Sequence, residues 1–389
     1  MYKLNSFKIA NFRSFFNEQK LDLRKTNITA IYGSNASGKS NTARALNFAK
    51  WFIFNSAKAE IVKIPFEPFL LRTDNSSPSA IEIEFQNHDR SFRYGFSFNA
   101  DEIVSEKLIE LTTQKEKTIF NRHYQNIENI ATAKKFGFTD NLLNKTRKTT
   151  LLITNAREDN NGYANVIFDF LSHFNVITCG TPELRQISVN LLTHDLTMKN
   201  KVLDFLRSAD FWIRDIKVDE IDTPDEVIKN LPFTEDFKKN FQKSVSITTT
   251  HSIRDENDKI VGSAQFSLDG QESAGTSVIF DLSALIIYSL EQKSSLYIDE
   301  FGLHLHPDIC RYILSQFKNN VDAQLILNTH DDSLMNYLSR EDIAFVDKNQ
   351  AEESYITPLT NLSPRVNDPF EKHYRKGLYG ARPIIKEPK

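Results

Sequence analysis

Hydrophobic and polar positions alternate along this chain with two different periods, and the changes of period mark its elements. Ile81-Glu82-Ile83-Glu84-Phe85 has period two, Asn87-His88-Asp89-Arg90 reads as a turn, and Phe92 to Phe98 returns, which predicts a β-hairpin. Leu4 to Ile9 predicts a first strand, and the apolar run Ile28 to Tyr32 predicts a buried central one. Thr42 to Phe52, Asn165 to Phe174 and Met198 to Ala209 have helical spacing; in the last, Met198, Val202, Leu203, Phe205 and Leu206 share a face. Strands resume from 244, where Val245 to Ile253 and Lys259 to Leu268 flank a polar turn. A helix over Thr276 to Leu290, a strand from Ser295 to Asp299, a helix over Ile309 to Phe317 and a strand from Gln324 to Asn328 complete the pattern. The order predicts an α/β fold with mixed sheets. Residues 1–98 and 244–362 form two halves of one core, 99–243 a mostly helical insertion that serves as a lid or binds a partner, and 363–389 an irregular tail rich in Pro, Lys and Arg.

Between the strand at Ile28 to Tyr32 and the helix at Thr42 lies Gly33-Ser34-Asn35-Ala36-Ser37-Gly38-Lys39-Ser40, followed by Asn41. This is a G-x-x-x-x-G-K-S phosphate loop in the strand–loop–helix setting that the motif requires. Glycines let the backbone wrap around phosphates, and the helix start adds positive potential. Lys39 can reach β- and γ-phosphates, and the Ser40 hydroxyl can hold magnesium. Leu296-Tyr297-Ile298 leads into the adjacent acids Asp299 and Glu300. Strand alternation turns their carboxylates to different sides, Asp299 to hold magnesium and Glu300 to polarise water as a general base. Gln271 to Thr276 opens a helix, so Ser273, Ala274, Gly275 and Thr276 form a second anion-binding tip, with a plain helix cap as the bland alternative. It reaches a γ-phosphate most economically in a second copy of the chain. His330 follows a core strand, where an imidazole can sense that phosphate. His304 and His306 lack a clustered third ligand, and a loop contacting a dimer partner is favoured over a metal site.

Composition changes the picture little. The 389 residues are 40% hydrophobic and 25% charged with net charge −3, an ordinary globular balance. Near-neutrality excludes a generally basic nucleic-acid coat but leaves room for a local stripe. The cluster Lys145-Thr146-Arg147-Lys148 is such a segment, read as a solvated loop with a phosphate-contacting patch as the sharper alternative. Cys179 and Cys310 are far apart and have no C-x-x-C spacing. That argues against a disulfide framework and a cysteine zinc site, and for a reducing cytoplasm. No signal-like stretch lies in Met1 to Asn11 and no window reaches membrane-spanning length, so no membrane partner is expected.

The phosphate loop, capped helix, acidic strand and histidine, in this order, resemble the ATP-binding-cassette (ABC) type of P-loop ATPase, in the SMC/RecF/OLD branch. Asn11-Phe12-Arg13-Ser14-Phe15 resembles the opening of that branch, and Asn35 its loop habit. Glu272-Ser273-Ala274-Gly275-Thr276 resembles its signature, and Leu305-His306-Pro307 its stretch after the acids. Tyr374-Arg375-Lys376-Gly377-Leu378-Tyr379-Gly380 is similar to the closing motif of one subgroup, the bacterial abortive-infection ATPases such as AbiL, RloA and the AriA subunit of PARIS. The resemblance implies an ABC-type ATPase head that binds ATP and Mg2+ through the loop residues, with Ser40 and Asp299 at the metal and Glu300 as base. It also implies His330 as switch, Ser273 to Thr276 as a signature acting in trans, and Arg13 as a nucleotide contact. The expected Q-loop glutamine is missing between Pro65 and Glu84, and Gln86 falls in the hairpin. There are no long heptad arms and no TOPRIM-like acidic domain. The resemblance therefore implies one subunit of an anti-phage system, in which ATP-dependent self-assembly controls a nuclease or toxin encoded nearby and a phage protein is the trigger. A RecF-like DNA-maintenance ATPase, gripping duplex DNA through Lys145, Arg147 and Lys148, is the alternative.

Overall fold

The computed structural model describes residues 1–73, 77–113, 115–195, 197–222, 243–366 and 368–382; the end of the expected insertion and of the tail lie outside them. Two compact units are present. One comprises Met1–Thr178, Ser289–Gly302 and Cys310–Lys389, and the other Cys179–Tyr288 and Leu303–Ile309.

The first unit opens with strands β1 (Tyr2–Ala10), β2 (Gln19–Asp22) and β3 (Ile28–Tyr32) and helix α1 (Lys39–Asn55). Strands β4 (Ser79–Asn87), β5 (Arg90–Phe98), β6 (Ile103–Leu111), β7 (Glu116–His123) and β8 (Asn126–Ile127) then form an antiparallel meander. With β1 and β2 they make a seven-stranded sheet in the order β2-β1-β4-β5-β6-β7-β8. Helices α2 (Ile130–Lys134), α3 (Asp140–Lys145), α4 (Leu152–Glu158) and α5 (Gly162–His173) lead to β9 (Asn175–Thr178). The expectation of a helical insertion over 99–243 is thus corrected: its first part is β-sheet continuing from β5, and residues 99–178 belong to the first unit.

The second unit holds α6 (Pro182–His194), α7 (Met198–Ser208), the antiparallel sheet β10 (Asp215–Asp222), β11 (Lys243–Arg254) and β12 (Ile260–Ser267), and most of α8 (Ala274–Glu291). In contrast to the sequence expectation, α8 is long and apolar enough to cross a membrane by composition. Most of it is buried inside the protein, as in a core helix.

The chain returns to the first unit with β13 (Ser295–Phe301), α9 (Pro307–Asn319), β14 (Gln324–Thr329), β15 (Ile343–Lys348), β16 (Ser354–Pro358) and α10 (Phe370–Arg375). The tail expected to be irregular is therefore helical over part of its length. The core sheet runs β16-β15-β3-β14-β13-β9, with every pair parallel except β15–β16. All residues of β3 and β14 are buried, as strands covered on both faces must be. Helix α1 lies between the two sheets. Phe48 and Phe52 meet Phe98 and Phe96 of the antiparallel sheet at 5.0 and 5.7 Å between ring centres. On its other side Thr42 Oγ1 bonds the Tyr297 hydroxyl of β13 at 2.5 Å.

Within the antiparallel sheet, Glu106 and Arg122 are both fully buried. The Glu106 carboxylate accepts from Leu152 N–H (2.7 Å), Ile153 N–H (2.9 Å), the Tyr94 hydroxyl (2.9 Å) and Arg122 Nη1 (3.2 Å). It therefore satisfies the free N–H groups at the start of α4. Arg122 also donates to Thr150 O and Tyr124 O. Removing one member leaves a buried charge uncompensated. Arg122→Met is expected to lower unfolding stability by about 3–5 kcal/mol in urea denaturation, and a loss under about 1 kcal/mol would refute the buried network.

Candidate functional site

Strands β3, β14 and β13 are parallel neighbours in register, Asn328 pairing with Ile31 and Leu327 with Ile298. Their carboxyl ends therefore lie side by side, the usual ligand edge of such sheets. Gly33 leaves β3 so close to β15 that a Cβ would collide with Val346 O. Gly38 has φ 109°, and a Cβ there would collide with Ser354 Oγ and Ser14 Oγ. Only glycine meets both demands. The loop is braced from behind, where Ser354 Oγ donates to Ser37 O (2.6 Å) and Asn41 Nδ2 donates to Ser14 Oγ (2.7 Å).

Lys39 starts α1, and its ammonium donates to Gly33 O (2.6 Å) and Ser34 O (3.0 Å). Burial lowers its pKa to about 8, against the opposing charge of Asp299. Ser40 Oγ donates to Asp299 Oδ1 at 3.2 Å. Asn328 Nδ2 donates to the same oxygen at 2.7 Å and to Lys39 O at 2.9 Å. Asn328 Oδ1 in turn accepts from the Tyr297 hydroxyl at 2.9 Å. A hydroxyl and a carboxylate facing one another are hard oxygen donors of the kind that suit magnesium together with phosphate oxygens.

Asp299 is buried and Glu300 exposed. Strand alternation alone does not account for their separation. The structure adds a register shift between Ile298 and Phe301 and a left-handed Glu300, φ 58°. The bulge lifts the second carboxylate out of the sheet into the cavity, a known use of bulges near active sites. His330 leaves β14 at the rim. Partial burial lowers its pKa, the Lys39 charge adds to that, and Asp299 opposes it.

These residues share one cavity of about 440 Å3 lined by Ser34 to Asn41, Asp299, Glu300 and His330. Ser14, Arg44, Asn328, Thr329 and Lys348 also line it and were missed in the sequence. Arg13 does not line it. Its side chain is paired with Glu67 in a neighbouring depression that shares Ser14 and Lys348 with the cavity. Gln86 lies on β4, bonded to His88 O at 2.7 Å, consistent with the hairpin position. A wider cavity of about 800 Å3 in the second unit, between Arg207, Trp212, Arg214 and Ile260, contains none of the sequence-predicted residues.

The signature segment belongs to the second unit. Ser273 Oγ accepts from Thr276 N–H at 3.0 Å and bonds Thr276 Oγ1 at 2.9 Å, capping α8. Glu272 bonds Thr249 Oγ1 and His251 Nε2 of β11, fixing the helix start to its own sheet. A Cβ on Gly275 would lie 2.9 Å from His304 O, so the backbone of His304 packs against the first turn of the helix while Ser273 and Ala274 stay exposed. Among the described residues no group of three or more His, Cys, Asp or Glu could hold a metal. Two cations of the basic cluster have partners within the protein: Lys145 is paired with Asp159 at 2.6 Å on the surface. Arg147 Nη2 donates to the carbonyls of Ser56, Ala57 and Lys58 at the end of α1.

The family described as "AAA domain, putative AbiEii toxin, Type IV TA system" matches residues 28–336. No curated protein matches the chain. Similar solved structures include the SMC head domain from Thermotoga maritima, 14% identical, covering 92% of this chain and 98% of that one with TM-score 0.45. Another is an SMC head bound to the C-winged helix domain of ScpA, 12% identical over 91% and 97% with TM-score 0.47. A third is an SMC head with an extended coiled coil bound to the C-terminal domain of ScpA, derived from Pyrococcus furiosus, 15% identical over 92% and 96% with TM-score 0.44.

A Lys39 that meets a bound anion would make that binding depend on pH. Below about 8 the ammonium is already charged, and above it a polyphosphate must bring a proton back. Calorimetry with inorganic triphosphate is expected to show affinity falling between pH 8 and pH 10, with proton uptake on binding. Affinity flat across that range would overturn the lowered Lys39 pKa or its contact with the anion.

Proposed function

The chain belongs to the family described as "AAA domain, putative AbiEii toxin, Type IV TA system", and from that premise we propose that it binds and hydrolyses ATP. The observation that carries the reading is the meeting of Lys39, Ser40, Asp299, Glu300 and His330 around one cavity. Loop N–H groups and Lys39 grip the β- and γ-phosphates. Ser40 and Asp299 hold Mg2+, which when bound neutralises charge on the phosphate oxygens. Glu300, at the cavity mouth, takes the proton of the attacking water, and His330 contacts the γ-phosphate.

A second copy of the chain supplies Ser273, Ala274, Gly275 and Thr276 to close the site. ATP binds the paired state more tightly than the open one, and that difference drives assembly. The motif resemblance and the toxin–antitoxin description of the family support the wider role: a cytoplasmic subunit of an anti-phage system whose assembly holds or releases a nuclease or toxin encoded nearby, triggered by a phage protein. The surface of residues 179–288 is the part proposed to meet that partner. The DNA-maintenance alternative is weaker, because the cations it invoked at Lys145 and Arg147 bond within the protein.

Lys39→Ala is expected to abolish ATP binding by calorimetry and, in cells challenged with phage, defence. Glu300→Gln is expected to keep binding, slow phosphate release by about 100-fold or more and accumulate dimers in light scattering. Hydrolysis by Glu300→Gln at the wild-type rate would remove Glu300 as the base.

A further inference from the structure

The closing motif Tyr374 to Gly380 has no place in the reaction proposed above, yet it packs behind the strand that leads into the phosphate loop and is bonded to the segment that follows His330. Tyr374 of α10 is buried, stacked on Phe345 of β15 at 5.5 Å and 15°, with its ring 6.0 Å from that of Tyr32. Tyr32 is the last residue before Gly33, so the tail packs behind the root of the phosphate loop. The next residue, Arg375, makes a fork onto Asp332, Nε to Oδ2 at 2.9 Å and Nη2 to Oδ1 at 2.8 Å. Asp332 is two residues beyond His330. Glu371 joins the same network, accepting from Arg375 at 2.7 Å and from Asn336 Nδ2.

The segment carrying His330 is tied on one side only by short local bonds. Asp331 N–H donates to Thr329 Oγ1 at 3.1 Å, and Asp331 Oδ1 accepts from Ser333 N–H at 3.0 Å and Ser333 Oγ at 2.6 Å. On the other side the Arg375 fork and the Glu371–Asn336 bond tie the turn Asp332–Tyr337 to α10, while its buried Leu334 and Met335 and the Lys318 Nζ–Tyr337 O bond anchor its later residues. The tail is held in place in its turn. Tyr374 OH donates to Ala381 O at 3.0 Å, Ala381 N–H donates to Asp347 Oδ2 at 2.7 Å, and Gly377 and Gly380 take the left-handed bends (φ 75° and 69°) that bring this about.

We infer that the closing motif is a clasp in which Arg375, through Asp332, positions the His330 loop for hydrolysis. Arg375 is thus a positioning residue; it does not reach the cavity. The inference rests on the ATPase reading for its kinetic consequence but not for its structural one. A planar guanidinium fork fixes direction as well as distance, which a point charge does not. The pair is partly exposed, so it adds little to global stability, and its loss should be felt locally.

The test uses the full chain with Arg375→Ala, Asp332→Ala, the double variant and Arg375→Lys. Hydrogen exchange read by mass spectrometry should speed up over residues 330–337 in both alanine variants while the melting temperature stays near wild type. Arg375→Ala should lower kcat by about ten-fold, as expected of a misplaced contact. KM should stay within about two-fold, because the phosphate grip is untouched. The double variant should be no worse than Arg375→Ala, which already removes the contact with Asp332 as well as that with Glu371. Arg375→Lys should fall between wild type and Arg375→Ala.

Unchanged exchange at 330–337 overturns the clasp, whether or not the wild type hydrolyses ATP. Wild-type kcat in Arg375→Ala, a rise in KM alone, or additive losses in the double variant overturn its role in the reaction. A wild-type protein that releases no phosphate overturns the ATPase reading instead, and the exchange result then decides the clasp by itself.

Discussion

The Asn328 side chain is the constraint on which the site depends. Its amide holds the first carbonyl of α1 and the carboxylate at the end of β13, and its oxygen takes the Tyr297 hydroxyl. Lys39 and Asp299 come from opposite ends of the sequence, and a single buried group sets their separation. The parallel register of β3, β14 and β13 brings the strand ends level, and Asn328 fixes the last ångström. All partners are buried, where an amide with both ends satisfied holds one arrangement and an alternative would leave polar groups unpaired.

The parts of the fold that were legible in the sequence are those governed by local rules. The five-residue strand Ile28–Tyr32 appears with the bounds its apolar run predicts. The helices at 39–55, 198–208 and 307–319 differ from expectation only at their ends. Strands β6 and β7 were missed for a physical reason. Their alternation is interrupted by Glu106 and Arg122, which read as solvent-facing yet are buried against each other, and by a register shift between Leu108 and Ile109. A buried ion pair looks like a surface pattern until its partner is known. The tail differs from expectation for another reason: its Pro, Lys and Arg content predicts irregular chain, but Gly377 and Gly380 fold Tyr374 and Ala381 back onto β15.

The site divides along the same line. The glycine loop, Lys39 and Ser40 form one contiguous motif between β3 and α1, and the paired acids and His330 lie near the ends of β13 and β14, so sequence spacing singles them out. Asn328 and Lys348 act from the side of the cavity and have no motif of their own; Ser14 lies in the Asn11 to Phe15 string, yet nothing in that string marks its hydroxyl as a brace for the loop. Arg13 shows the converse. It lies in a recognisable string, but its left-handed backbone and its pairing with Glu67 turn it into the next depression.

The energetic logic of the resting loop favours an exchange rather than a simple capture. The Lys39 ammonium is bonded to the carbonyls of Gly33 and Ser34, and burial has already weakened its hold on its proton. A polyphosphate bound as proposed would offer a full negative charge in place of two carbonyl dipoles and would restore the proton's hold. The gain on binding is therefore the difference between two sets of contacts, smaller than the charge–charge attraction alone would give. The same exchange frees the carbonyls of the turn that starts at Tyr32, the residue against which Tyr374 lies. A loop that must trade partners to bind is one whose two states differ in contacts, and differential contact is the requirement for a nucleotide to shift an equilibrium at all.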